Sequence, residues 1–196
     1  MKIGFSSLLI PIVALTSLSA LTSCGPSVDT RNKMIVSVRD QKMLLLRDGK
    51  PIKSYKVSTS KFGVGDIPNS NRTPLGRMKV AKKIGGGEPA GAVFKSRSPT
   101  GEVLKPNAPG RDPIVSRILW LTGTESHNRN AFRRYIYIHG TPEQYRLGTP
   151  ASYGCIRMGT KEVCDLYNRV GTGADVYVIR GSLDEVVPKK NHTAFR

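Results

Sequence analysis

From Lys33 onward the chain is a succession of short strand-forming segments that glycine and proline separate. The first three are MIVSVRD, KMLLLRD and PIKSYKVST, and the pair Asp48-Gly49 between the last two is a strong signal for a hairpin turn. RMKVAKKI, RILWL, YIYI and DVYVIR continue the pattern further along the chain. The pattern predicts a mainly β domain that opens with an antiparallel meander of three strands. A chain of 196 residues is long enough for one well-filled domain and not for two.

One helix is predicted near the end of the chain. Its apolar side chains recur at i, i+3, i+4 and i+7 and share one face: Val163, Leu166, Tyr167 and Val170. Thr160 is the expected N-cap, and Gly171 is expected to stop the helix. The expected fold class is therefore mainly β (α+β), with this one helix packed on the sheets.

The stretch from Arg134 to Met158, RYIYIHGTPEQYRLGTPASYGCIRM, brings one histidine and one cysteine into a segment of strand and loop. His139 lies at the end of the strand, and Cys155 closes the loop. An imidazole within hydrogen-bond reach makes a thiol mostly thiolate at neutral pH, although the pKa of a free thiol is about 8.5. Gly154 leaves the amides of Tyr153, Gly154 and Cys155 free to bind an oxyanion. The stretch indicates a cysteine acyl-transfer site, and a small buried cysteine beside an unrelated histidine is the alternative.

Four segments of the sequence occur in the order NRTPLGRMKV, RILWLTG, YIYIHGT and GTPASYGCIRM. Together they resemble the L,D-transpeptidase (YkuD-type) family of bacterial cell-wall enzymes, over roughly residues 33–180. The resemblance implies a YkuD-like β-sandwich of mixed sheets, with Cys155 as nucleophile and His139 as general base. It also implies that the carbonyl of Gly140 orients the histidine. The family usually has histidine where this chain has Tyr153, which changes the wall of the site more than the dyad.

The resemblance also implies a reaction on peptidoglycan. Cys155 would take the third residue of a tetrapeptide stem as a thioester, the terminal D-alanine would leave, and a second stem would accept the acyl group. Water, as in an L,D-carboxypeptidase, or a protein amine, as in attachment or release of wall proteins, could replace the second stem. A non-catalytic peptidoglycan-binding lipoprotein is a further alternative, supported only by Tyr153. No cofactor is implied, and no metal site is expected because no metal-binding motif occurs.

Three further residues are expected beside the dyad. Ser152 is expected to shape the catalytic loop by hydrogen bonding within it, and Tyr137 is expected to contact the substrate. Arg157 either binds a substrate carboxylate through its bidentate fork or pairs with an acid of the domain such as Asp165. The sequence leaves these two roles of Arg157 open.

Two features leave structural alternatives open. The segment between Gly85 and Pro113 is rich in glycine and proline, and we expect an active-site flap there, with plain disorder as the alternative. Cys155 and Cys164 could form a disulfide in an exported protein. The Ser-x-Gly-Cys context instead favours a free thiol at Cys155.

Residues 1–24 have the features of a secretory signal peptide, with a basic Lys2, an apolar core and a lipobox-like ending at Cys24. Lipidation of Cys24 is expected, and a signal peptide cut elsewhere is the alternative. Residues 25–32 would be a linker, 33–181 the catalytic domain and 182–196 a polar tail. The protein is then expected in the periplasm, anchored by lipid to the cell envelope, with the outer membrane as the expected site.

The formal net charge of +17 arises from 31 basic and 14 acidic residues. The basic residues are dispersed and no nucleic-acid motif accompanies them, so a nucleic-acid partner is not expected. Such an excess is typical of a surface that faces an anionic environment, and peptidoglycan carboxylates or lipid headgroups would provide one.

Overall fold

The computed structural model describes residues 28–186 together with Met1, and its elements follow the succession predicted from the sequence. The signal segment with Cys24, and residues 187–196 of the tail, lie outside the described residues. The strands are β1 (Asn32–Ser37), β2 (Lys42–Arg47), β3 (Lys50–Ser58), β4 (Gly76–Ile84), β5 (Ala92–Lys95), β6 (Ser98–Val103), β7 (Ile114–Gly123), β8 (Tyr137–Gly140), β9 (Ile156–Met158) and β10 (Asp175–Ile179). The helix α1 spans Thr160–Arg169, and short 3-10 turns lie at Ser126–Asn128, Gln144–Arg146 and Leu183–Glu185. Within residues 28–186, no helix has the length and apolar character needed to cross a membrane.

The strands form one mixed sheet that closes on itself. They pair in the order β4-β10-β1-β2-β3-β9-β8-β7, and a further pairing of β4 with β7 completes the ring. The β1–β10 and β8–β9 pairs are parallel, whereas the other pairs are antiparallel. Closure leaves these strands without a free edge and surrounds one large apolar core. The mixed β architecture expected from the sequence is confirmed.

The meander of β1, β2 and β3 is also confirmed, and the turn between β2 and β3 has the predicted backbone conformation. Asp48 and Gly49 have φ values of 51° and 76°, the left-handed conformation that a two-residue type I′ turn requires. Arg47 and Lys50 pair directly across the turn, so the register of β2 and β3 starts there.

Helix α1 buries the face predicted for it, because Val163, Leu166 and Val170 are at most 2% exposed. The expected N-cap is one residue off, since Gly159 is the N-cap and Thr160 is the first helical residue. The Thr160 hydroxyl is buried and accepts a hydrogen bond from the side-chain amide of Gln144, at 3.1 Å, instead of capping the helix.

Two other segments differ from the expectation. The strand predicted from Tyr135 starts at Tyr137, because Tyr135 has a φ of 57° and ends a turn instead. Part of the segment between Gly85 and Pro113 is regular, because β5 and β6 form a hairpin there. Within residues 28–186, β7 is the ring strand with which this hairpin pairs: Val93 pairs with Val115 and Phe94 with Ile114.

Both ends of the described region are held by hydrogen bonds. The Asp29 carboxylate, in the predicted linker, accepts a hydrogen bond from the amide of Gly171 at 2.6 Å. In the predicted tail, the Asp40 carboxylate accepts hydrogen bonds from Ser182 Oγ at 2.9 Å and from the amide of Leu183 at 2.7 Å. The folded unit therefore extends beyond residues 33–181 at each end.

Candidate active site

The parallel pair β8 and β9 places the candidate dyad on one face of the sheet. Ile138 pairs with Ile156, and both side chains point into the main core. Side chains alternate along a strand, so Tyr137 and His139 on β8, Arg157 on β9 and Cys155 just before β9 project to the opposite face. There the Tyr137 ring packs in a second apolar cluster with Cys155 against it. The register pairs His139 with Arg157, and His139 and Cys155 line one pocket on this face. Within residues 28–186, no hydrogen bond joins the two side chains, so the expected hydrogen-bonded dyad is not formed in this structure.

The orientation of the His139 ring is set by the carbonyl oxygen of Gly140, which lies 2.8 Å from its Nδ1. A carbonyl can only accept a hydrogen bond, so Nδ1 carries the proton and Nε2 keeps the basic lone pair. A side chain at position 140 would run into the carbonyl oxygen of Val115, which explains the glycine there. Burial lowers the pKa of His139 from its ordinary 6.5, although the Gly140 carbonyl opposes the change. The imidazole is therefore neutral at neutral pH.

The half-buried Cys155 thiol lies between two backbone groups at the start of β8. Its Sγ is 3.4 Å from the amide nitrogen of Tyr137 and 3.4 Å from the carbonyl oxygen of Tyr135. The contact with a carbonyl requires the S–H group of a protonated thiol. Burial raises the pKa of Cys155 to about 11, against the opposing effect of the Tyr137 amide. This is opposite to the lowered pKa expected from the sequence.

Two of the three predicted oxyanion donors are available. The amide of Gly154 donates to Ser152 Oγ at 3.2 Å, and Ser152 Oγ donates to the carbonyl oxygen of Cys155 at 2.6 Å. Ser152 thus shapes the loop as expected, and it occupies the amide of Gly154. Within residues 28–186, the amides of Tyr153 and Cys155 have no hydrogen-bond acceptor and remain free for an oxyanion. Gly154 has a φ of 119°, which a residue with a side chain rarely adopts.

Arg157 is held by acids of the domain, although not by the one suggested from the sequence. Its Nη1 pairs with Asp112 and lies 3.3 Å from a carboxylate oxygen of Glu143. Asp165 pairs instead with Lys53 and Arg169. The Arg157 side chain is only 4% exposed, so the structural role is favoured over a freely presented carboxylate-binding fork.

Two tyrosines have roles that the sequence did not predict. The Tyr137 ring is only 4% exposed, so its buried side chain does not support the expected substrate contact, and its amide instead contacts Cys155. Tyr153 is 64% exposed beside the nucleophile. Its hydroxyl accepts a hydrogen bond from Lys61 Nζ at 3.0 Å, and this bond lowers the pKa of the phenol.

Cys155 lies where two pockets meet. The smaller pocket, of about 210 Å³, is shared by Cys155, His139 and Arg157, with Asp112 and Ser152 in its wall. The larger pocket, of about 350 Å³, has both polar and apolar lining. Its wall includes Asn69, Asn71, Asn130, Arg133 and Arg134. Cys155 and Tyr153 line both pockets, so a ligand in either one can reach the thiol.

Two residues that support the site carried no signal in the sequence. Asp112 lines the smaller pocket, pairs with Arg157 and accepts a hydrogen bond from the hydroxyl of Thr141. Arg134 forms a buried ion pair with Asp66 at 2.9 Å. The partners of each pair are tens of residues apart, and only folding brings them together.

The remaining cysteine does not pair with the nucleophile. Cys155 and Cys164 are both free thiols, which favours the free-thiol alternative over a disulfide. In the part of the chain that the structure describes, no cluster of three or more histidine, cysteine or acidic side chains could hold a metal ion.

Comparison with known proteins places the chain in a family. The L,D-transpeptidase catalytic domain (YkuD) matches residues 31–178. L,D-transpeptidase 3 from Mycobacterium tuberculosis is similar in fold, with 17% identity, a TM-score of 0.50, and coverage of 76% of this chain and 61% of that one. An L,D-transpeptidase from Xylanimonas cellulosilytica has 16% identity and a TM-score of 0.50, with coverage of 79% and 63%.

The Ldtfm–avibactam carbamoyl enzyme is a third similar structure, with 18% identity, a TM-score of 0.50, and coverage of 79% of this chain and 51% of that one. The chain thus spans between 51% and 63% of the length of these three solved structures. No curated protein sequence matches it significantly. The match over residues 31–178 covers most of the chain, and the protein therefore belongs to the L,D-transpeptidase (YkuD) family.

Proposed function

We propose that this protein is a peptidoglycan L,D-transpeptidase that forms cross-links through a thioester on Cys155. The observation that carries the proposal is the pocket shared by Cys155 and His139, in which the Gly140 carbonyl fixes the proton on Nδ1 and leaves Nε2 basic. A neutral imidazole in the same pocket as a neutral thiol is suited to general-base catalysis. Proton transfer then accompanies attack on the substrate.

The proposed reaction begins when Sγ of Cys155 attacks the carbonyl carbon between the third residue of a tetrapeptide stem and its terminal D-alanine. Nε2 of His139 takes the thiol proton, and the free amides of Tyr153 and Cys155 stabilise the oxyanion. The C–N bond breaks, and His139 returns the proton to the departing amine of D-alanine. The amine of a second stem attacks the thioester, gives a proton to His139, and the thiolate leaves and is reprotonated.

The two pockets suggest where each substrate binds. The departing amine and the attacking amine must both reach His139, and His139 lines only the smaller pocket of the two. We therefore place D-alanine, and later the acceptor amine, in the smaller pocket. The acyl part of the donor stem then occupies the larger pocket.

The charge of the larger pocket fits an anionic donor stem. Among the described residues that line it there is no acid, whereas two arginines and three asparagines contribute to its wall. The guanidinium of Arg134 is already bound to Asp66 and to backbone carbonyls. Arg133 is exposed and is the guanidinium that we assign to a stem carboxylate.

Mass spectrometry of products tests the proposal. Purified full-length protein would be incubated with a disaccharide-tetrapeptide, and D-alanine, tripeptide and cross-linked dimer would be quantified over time. Dimer linked through two third residues is the expected product. Tripeptide without dimer would identify water as the acceptor and make the protein an L,D-carboxypeptidase.

Variants separate catalysis from binding in that assay. Cys155→Ala should release no D-alanine, and D-alanine release by this variant would contradict the proposed nucleophile. Arg133→Ala should raise KM for the anionic donor more than it lowers kcat. Binding of stem peptide to the wild type without any product would instead identify a non-catalytic peptidoglycan-binding protein. Muropeptide analysis of cells with and without the protein would identify a protein amine as the natural acceptor if protein-linked muropeptides depend on the protein.

We also propose that the domain is exported and held at the cell envelope by a lipid on Cys24, with the outer membrane as the proposed site. The lipobox-like sequence that ends at Cys24 supports this location. Globomycin should cause an uncleaved precursor to accumulate, and Cys24→Ala should prevent lipidation. Mature protein that begins elsewhere and carries no lipid mass would contradict the anchor and leave the proposed reaction unaffected.

A further inference from the structure

The two-residue turn between β5 and β6 has an unusual backbone conformation. Ser96 and Arg97 have φ values of 51° and 71°, so both adopt the left-handed conformation that a two-residue hairpin turn requires. Glycine or asparagine normally occupies such positions, because other side chains are strained there. Contacts outside the turn are therefore needed to hold this conformation.

Arg97 contacts aromatic side chains that lie next to the candidate active site. Its guanidinium carbon lies 5.3 Å from the ring centre of Trp120 and 5.2 Å from that of Tyr135. Both distances are within the range of a cation–π interaction. The Tyr137 phenol raises the pKa of Arg97. Thus one side chain at the tip of the hairpin lies over two rings of a packed group of three, which we call the aromatic shelf: Trp120, Tyr135 and Tyr137.

The aromatic shelf is internally packed. Trp120 lies edge-on to Tyr137 with ring centres 5.5 Å apart, and it stacks on Phe132 at 4.2 Å. Its indole N–H donates to the carbonyl oxygen of Phe132 at 3.0 Å. Tyr135 completes the shelf at 5.5 Å from Trp120. A group bound on this shelf can therefore restrain both tyrosines together.

The two tyrosines of the shelf provide the backbone contacts of the nucleophile. The carbonyl of Tyr135 and the amide of Tyr137 each lie 3.4 Å from Cys155 Sγ. Tyr135 is itself strained, with a φ of 57°. A left-handed tyrosine persists only where its surroundings hold it.

We infer that Arg97 is a positioning residue for the nucleophile. By binding the aromatic shelf, it holds the backbone of residues 135–137 in the conformation that contacts the Cys155 thiol. The hairpin tip thereby becomes part of the active site without touching the reacting atoms. This inference rests on the proposed role of Cys155 as the nucleophile.

Alkylation of the thiol tests the inference without any substrate. Iodoacetamide is small and neutral, so its reaction with Cys155 does not depend on Arg97 binding a substrate charge. In full-length protein, Arg97→Ala should change the rate of Cys155 alkylation at pH 8 several-fold, because the Tyr135 carbonyl and the Tyr137 amide that contact the thiol would both shift. The same variant should lower kcat for D-alanine release on the order of tenfold, with KM little changed, because misplacement of a reacting group reduces turnover. Arg97→Lys should restore part of both rates, since an ammonium can still lie over the aromatic rings.

Arg111→Ala is the matched control. Arg111 follows the hairpin and pairs with Glu102 on β6 in an exposed ion pair, and the arginine over the shelf rings is Arg97. This variant should alkylate and turn over like the wild type. Peptide mapping would confirm that the label is on Cys155 rather than Cys164.

Wild-type alkylation and kcat in Arg97→Ala would overturn the inference. A raised KM with unchanged alkylation would also overturn it, because that pattern identifies a substrate contact. If Arg97→Ala lowers the melting temperature, the alkylation rate and kcat would be measured on Arg97→Lys and Tyr137→Phe instead. Release of D-alanine by Cys155→Ala would instead refute the proposed function. The alkylation rates would still decide whether Arg97 positions the Cys155 thiol.

Discussion

The Sγ atom of Cys155 lies 3.4 Å from the carbonyl oxygen of Tyr135, a contact that only a protonated thiol can make favourably. This relationship links a strained backbone residue to the chemical state of the nucleophile. Together with the Nδ1 contact of His139 to Gly140, it describes a resting dyad in which both members are neutral.

The apparent pKa of Cys155 should lie above the free value of about 8.5, because burial raises the pKa of this thiol. The rate of iodoacetamide alkylation measured against pH would give this value. Cys155→Ala corrects for Cys164, whose thiol pKa burial also raises. A rate that reaches its plateau below pH 8 would indicate a preformed thiolate and contradict the neutral dyad.

The midpoint of the acidic limb in the pH profile of kcat/KM should lie below the ordinary histidine pKa of 6.5, because burial lowers the pKa of His139. The base form then persists to lower pH than in a free histidine. The same shift makes stability fall as pH drops below about 6.5, since the unfolded chain binds the proton first. Plots of kcat/KM and of urea-unfolding midpoints against pH measure the two effects. His139→Gln should remove the acidic limb and the histidine-linked loss of stability, and it should reduce turnover on the order of a hundredfold or more.

Tyr153→His should leave turnover within a few-fold of the wild type. The Tyr153 side chain is exposed and bonded to Lys61, whereas the general base is His139. A phenol with an ordinary pKa of about 10 does not replace a titrating histidine. D-alanine release from a tetrapeptide donor measures the effect, with melting curves as the check on folding. Turnover present only in Tyr153→His would identify the natural protein as a degenerate binder.

Asp66→Ala should destabilise the fold by about 3–5 kcal/mol, because it leaves the buried Arg134 charge without its partner. The two side chains are 5% and 8% exposed. Urea denaturation would measure the change, with Arg39→Ala as the control. Arg39 and Glu185 form an exposed pair, so that control should cost less than about 1 kcal/mol. Equal effects of the two substitutions would contradict the importance of the buried pair.

A carbapenem should acylate Cys155 through its strained ring carbonyl, as the family resemblance implies. Intact-mass spectrometry should detect one adduct on the wild type and none on Cys155→Ala. Cys164→Ala should still form the adduct, since Cys164 lies on helix α1 outside both pockets that contain Cys155. An adduct that persists on Cys155→Ala would place the reactive nucleophile elsewhere.

Local chemistry explains which parts of the fold were predictable. Asp48-Gly49 determines a hairpin through its own backbone preferences, and the spacing of Val163, Leu166 and Val170 determines the buried face of a helix. Tyr135 shows where such reasoning ends. Its side chain favours a strand, whereas it ends a turn with a φ of 57°, and its ring contacts Arg97 and Trp120, which are distant in sequence.

The sequence by itself determined the family, the mixed β fold and the candidate pair Cys155 and His139, because these depend on motifs and periodicities that local segments carry. Tertiary structure alone decided the protonation of that pair, through burial and the carbonyls that surround it. It also decided that Arg157 pairs with Asp112. Such pairings join residues far apart in the chain, and only the closed sheet brings them within contact.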